Sequence, residues 1–197
     1  LGDVYKRQHQ SSITASHYAL DSHAVRKREE GRVHLDGFLS YPSAVYTVPY
    51  GVMVPKEVGN LLLPVPVSGS HIGFSTLRME PCWMAMGQAA GIASALSIDG
   101  KVKVQNIDLS RLQDKLVDQK ATLMYFKDVD YTSPHFRMVQ YLGLRGYLPE
   151  WTARLQEPVD MATLTAWKKL SGKDLPGIEA GKTTRLVALE MIYRKIK

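Results

Sequence analysis

The spacing of apolar and polar positions divides the chain into three stretches of different character. Residues 9–32 are polar and histidine-rich (His9, His17, His23), with a charged run over 26–32. No apolar period runs through them, so irregular structure is predicted, with a turn at Gly31. Residues 33–39 are a short strand candidate broken at Gly37. Residues 44–54 are rich in β-branched and aromatic side chains and predict a strand, with Pro49 and Gly51 marking an edge or a bulge. After a turn at Gly59-Asn60, the run Leu61-Leu62-Leu63 is apolar without alternation, the pattern of a strand buried on both faces. Pro64 and Pro66 end its capacity for ladder bonds. Residues 67–75 read as a Gly/Ser-rich loop.

A helix is predicted to begin near Pro81, because proline at the first helical position sacrifices only an N–H that would be unpaired there. Residues 81–98 carry no charge. Gln88, the interior glycines and the soluble character of the flanks argue against a membrane span. Gly87 and Gly91 share one face, where small residues admit a close backbone, a ligand or tight helix–sheet packing. Beyond Gly100 the pattern becomes amphipathic and helical. Helices are predicted over 109–119, with Ser110 as a cap and Leu112 and Leu116 inward, and over 136–144, 163–170 and 184–196. Pro149, Pro158 and Pro176 separate them, and a domain or subdomain boundary is placed near Gly100.

Composition narrows the class. The chain is 45% hydrophobic and 22% charged, which excludes a disordered, collagen-like or disulfide-scaffold protein. Its single cysteine, Cys82, excludes an intramolecular disulfide and a four-cysteine metal site built from this chain alone. The net charge of +6 resides in residues 101–197, interspersed with acidic groups. That is a solvated surface and not a nucleic-acid face. Residues 1–8 lack the apolar core of a secretory signal. The stretch Asp3-Val4-Tyr5-Lys6-Arg7-Gln8 resembles the in-frame translation of a transposon end used in preparing sequencing libraries. That reading makes residues 1–8 an artefact and the remainder the C-terminal piece of a longer protein.

The chemistry concentrates in residues 60–96. A helix beginning at Pro81 offers the amides of Cys82 and Trp83 and a partial positive charge to an anion, or to a group that becomes negative, such as the pyrimidine edge of a flavin. Cys82 at that end is either a thiol of lowered pKa or a buried structural cysteine. Ser75 follows Gly73 as in a nucleophile elbow, but Leu77 stands where the second glycine belongs, which removes the hydrolase reading.

Asn60-Leu61-Leu62, Ser70-His71, Thr76, Arg78, Pro81 and Gly87-Gln88-Ala89-Ala90-Gly91 occur in that order. They are preceded by Asp21-Ser22-His23 and by residues 48–56 (VPYGVMVPK). Together these motifs, over residues 17–98, resemble the C-terminal flavin-contacting segment of a family of FAD-dependent oxidoreductases. These are the glutathione-reductase-like flavoproteins grouped with heterodisulfide reductase A. Gly51 stands where many relatives have arginine. No Gly-x-Gly-x-x-Gly fingerprint occurs in the 197 residues, so the resemblance implies that the pyrophosphate cradle lies upstream.

The resemblance implies an α/β fold: the C-terminal part of a Rossmann-like FAD-binding fold, with strand–loop–helix and β-strands of the substrate region, then a mainly helical tail. Residues 9–56 would end the substrate-side region, 57–100 would supply the last strand and helix of the FAD domain, and 101–197 would form the appendix. It implies FAD as cofactor, with Ser68, Ser70, His71, Arg78, Met79, Glu80, Pro81, Cys82 and Trp83 around the ring, and His71, Arg78 and His23 as catalytic candidates. His71 is read as a proton donor or as a ring bonded to local backbone. Arg78 either meets charge on the flavin or an acidic substrate, or pairs with Glu80. Asp21 and His23 reach the substrate side, or Asp21 caps a turn. An iron–sulfur cluster would need upstream residues. The substrate or electron carrier is not specified, and no nucleic-acid partner and no membrane span are expected.

The tail has its own resemblance. Residues 125–129 (YFKDV), Pro134-His135-Phe136, Arg145-Gly146-Tyr147, Pro158 and Thr184-Arg185 are similar to a divergent S-layer-homology repeat. This leaves two readings: a helical cap on an oxidoreductase, or a non-catalytic cell-wall or glycan-binding appendage.

Overall fold

The computed structural model describes residues 10–22 and 39–197. Their order is β1 (Ser12–Ser16), β2 (Leu20–Ser22), β3 (Leu39–Tyr41), β4 (Tyr46–Pro49), a 3-10 turn (Tyr50–Met53), α1 (His71–Leu77), α2 (Glu80–Gly100), a second 3-10 turn (Val104–Asn106), α3 (Leu109–Asp118), α4 (Phe136–Leu144), α5 (Met161–Ser171) and α6 (Arg185–Ile196). Among the described residues this is a mixed α/β, mostly helical architecture with two small antiparallel sheets. β1 pairs with β4 and β2 with β3.

Several expectations are corrected here. The polar stretch expected to be irregular contains β1 and β2. β1 is a strand because it has a partner: Thr14 faces Val48 and Ser16 faces Tyr46, and Ile13 and Val48 are buried. The strand expected over 44–54 stops at Pro49, and a 3-10 turn takes over. Leu61, Leu62 and Leu63 form no strand; they hang on the 3-10 turn through Leu63 N–H to Met53 O at 2.9 Å, and Ser68 N–H reaches Val52 O at 2.7 Å. The Gly/Ser-rich loop holds a helix, α1, whose N-cap Ser70 accepts from Gly73 N–H at 3.0 Å. The strand candidate over 33–39 lies, except for Leu39, outside the described residues.

The helical tail follows its amphipathic pattern. Asp108, not Ser110, caps α3, accepting from the amides of Ser110 and Arg111. Asp160 caps α5 and Thr184 caps α6. α2 runs 21 residues and ends on Lys101, which adopts the left-handed region at φ 50°. Val102 N–H then closes on Ser97 O at 3.0 Å, a Schellman-type ending. Among the described residues no helix is long and apolar enough to cross a membrane.

α2 packs its Cys82, Met86, Ala89, Ala93 and Leu96 stripe against β1 and α3. One buried cluster runs from Ile13 and Val48 through that stripe to Phe136, Trp167 and Ile192. Polar bonds cross the same ground: Ser12 Oγ donates to Leu123 O at 2.8 Å, Ala15 N–H to Thr122 O at 2.8 Å, and Gln113 Nε2 to Ser12 O at 3.0 Å. The opposite face of α2 is open. Met84 and Ile98 are 74% and 75% exposed, and a Cβ added at Gly87 or Gly91 would meet nothing within 4 Å.

Candidate functional site

The expected site residues lie along α1 and the first turn of α2. Ser68, Ser70 and His71 are exposed at the start of α1. Arg78 caps its other end, and Met79 is the N-cap of α2. Seven residues of helix separate the two groups by about 10 Å at 1.5 Å per residue, so His71 and Arg78 do not converge. Ser75 is buried and donates back to Ile72 O at 2.6 Å, a bond internal to the helix. His23 lies outside the described residues.

α1 is held in place by hydroxyls. Thr76 Oγ1 donates to Tyr18 O at 2.6 Å, and the Tyr46 hydroxyl lies 2.7 Å from Thr76 Oγ1 and 3.0 Å from Thr76 O. Burial pushes the Tyr46 phenol above its ordinary pKa, against the opposing effect of its hydrogen bonds to Ser16 and Thr76. This anchoring has no signature in the local sequence. In the sequence Thr76 stands out only as part of a motif, and its partners Tyr18 and Tyr46 come from segments distant in sequence.

Arg78 pairs with Asp21, not with Glu80. Its Nη2 lies 2.9 Å from Asp21 Oδ2 and 3.4 Å from Asp21 O, and its guanidinium carbon is 5.9 Å from the centre of the Tyr18 ring. Asp21 is therefore a strand residue whose carboxylate reaches Arg78, as well as a member of the sequence motif.

The tip of α2 differs from the expected anion cradle. Pro81 has no N–H, and the amides of Cys82 and Trp83 both donate to Met79 O, at 3.0 and 3.1 Å. They are not free donors. Glu80 adds a carboxylate in the first turn, where the helix dipole favours one. Cys82 is 5% exposed, and burial raises its thiol pKa against a hydrogen bond to Ser16. Desolvation disfavours the charged thiolate, so the neutral thiol is the stable form. The indole Nε1 of Trp83 is buried and has no hydrogen-bond partner among the described residues. Such a donor costs roughly 1–3 kcal/mol.

A solvent-open cleft of about 500 Å³ is lined by Gln113, Leu144 and Arg145 among others, and by none of residues 68–83. Among the described residues no three His, Cys, Asp or Glu side chains gather as a metal site would require.

A family model described as FAD dependent oxidoreductase matches residues 2–116, more than half of the chain. No curated protein and no solved structure matches it.

Proposed function

The chain belongs to the FAD dependent oxidoreductase family, and from that premise we propose that residues 68–83 form the ring-contacting edge of a flavin site of the heterodisulfide reductase A-like kind. The carrying observation is the extent of the family match, which includes every expected site residue. When bound, FAD supplies the electron-transfer chemistry, and the protein positions and tunes it.

The residues present fit such a ring through side chains. Trp83 Nε1 is a buried donor lacking an acceptor, which a ring carbonyl would provide. Arg78, held by Asp21, brings a cation to the same junction. Ser68, Ser70 and His71 stand exposed at the far end of α1, where they would meet substrate or the outer part of the ring. The Cys82 and Trp83 amides, already bonded to Met79 O, are assigned no part in holding the ring. The single buried cysteine offers no thiolate set, so no iron–sulfur role is assigned to this chain.

In this reading α2 is the last helix of a Rossmann-like domain and residues 101–197 are a helical cap. The test is the absorbance spectrum of the full-length protein after purification and reconstitution with FAD. A stoichiometric flavin spectrum is expected. A colourless protein that instead retains cell-wall polysaccharide would replace this reading with the glycan-binding one.

A further inference from the structure

Arg78 is gripped from one side. Its Nη2 bonds both the carboxylate and the backbone carbonyl of Asp21, a residue 57 positions earlier, while the guanidinium carbon lies 5.9 Å from the centre of the Tyr18 ring of the same segment. The side chains of Arg78 and Asp21 are 33% and 20% exposed, so the pair is partly withdrawn from water. A guanidinium carries five N–H donors in a fixed fork. Among the described residues only Nη2 is committed, which leaves the remaining edge for an anionic or electron-rich group. The position is a junction of two helix ends, the last turn of α1 and the first of α2, so the backbone fixes it as well.

We infer that Asp21 is a positioning residue with a second effect: it aims Arg78 and offsets part of its positive charge toward the flavin. The inference rests on the proposed function. A cation at the edge of the ring favours the more negative, reduced form, and an adjacent carboxylate weakens that preference. Removing either partner therefore moves the flavin in opposite senses. A pair that only holds α1 against β2 has no such signature, since losing either half destabilises the same contact.

The experiment measures the flavin midpoint potential of the FAD-loaded full-length protein by dye equilibration, with melting temperature alongside. Asp21→Asn is expected to raise the potential and Arg78→Gln to lower it. Each shift corresponds to roughly a tenfold change in relative affinity for reduced over oxidised flavin, or about 30 mV for a two-electron couple. Asp21→Glu is expected to stay near wild type. A flavin-loaded wild type whose two variants keep its potential, or shift it in the same direction, overturns the inference alone. A wild type that takes up no flavin overturns the proposed function and this inference with it.

Discussion

Gln140 and Met124 bond each other in both directions: Met124 N–H donates to Gln140 Oε1 at 2.8 Å, and Gln140 Nε2 donates to Met124 O at 2.7 Å. Leu123 N–H shares the same Oε1 at 2.9 Å. Gln140 is 0% exposed, so its amide does the work that a neighbouring strand would do for the segment before α4. Gln140→Leu leaves two donors and one acceptor buried without partners, at about 1–3 kcal/mol each. The expected loss is at least about 3 kcal/mol, read from urea denaturation. A loss below about 1 kcal/mol would mean that water reaches this segment.

Cys82 should behave as an inert thiol. Burial raises its pKa, and the nucleophile is the thiolate. Iodoacetamide at mildly alkaline pH is expected to leave the folded protein unmodified and to label one site in denaturant, counted by intact mass. Labelling of the native protein at the rate of a free cysteine would contradict the packing of α2 on β1.

Tyr50 predicts an alkaline limit to stability. Its hydroxyl donates to Val104 O at 2.9 Å, and burial pushes its pKa up to about 12 from an ordinary value of 10.0. The unfolded chain loses the proton first, so the contribution of the neutral phenol is complete below about pH 10 and is lost as pH rises toward about 12. The buried Tyr46 acts in the same direction. Urea midpoints followed across that window should fall less steeply in Tyr50→Phe than in wild type. Parallel slopes would show that Tyr50 ionises as readily in the fold as outside it.

The cap of α3 separates two neighbouring residues. Asp108 Oδ1 accepts from Ser110 N–H at 2.9 Å and from Arg111 N–H at 3.3 Å. Asp108→Ala should cost about 1 kcal/mol. Ser110→Ala removes only a hydroxyl bonded to that same carboxylate and should cost a few tenths at most. Equal losses in thermal denaturation would restore Ser110 as the cap.

The features legible in the sequence were those decided locally. The helix expected over 136–144 has the bounds of α4, and α6 carries its own cap in Thr184. α1 is hidden in the sequence because it is seven residues long and follows Ser68-Gly69-Ser70, a composition shared by loops and N-caps. The run 61–63 has the pattern of a buried strand, but a strand exists only with a partner, and among the described residues none pairs with it. β1 shows the converse, a polar stretch made into a strand by β4. At the candidate site, Arg78 and Trp83 were visible as residue types. The carboxylate that Arg78 meets, and the burial of the Trp83 indole N–H, depend on distant segments and are not legible in spacing.

The tail donates bonds into β1 and β1 donates bonds into the tail, over a shared buried cluster that extends from Ile13 to Ile192. Nicking the chain in the turn after Lys101 would therefore not release two autonomous pieces. The fragments should stay associated in native buffer and melt in a single transition, so truncating residues 101–197 would be felt along α2 as a loss of the ground on which it rests.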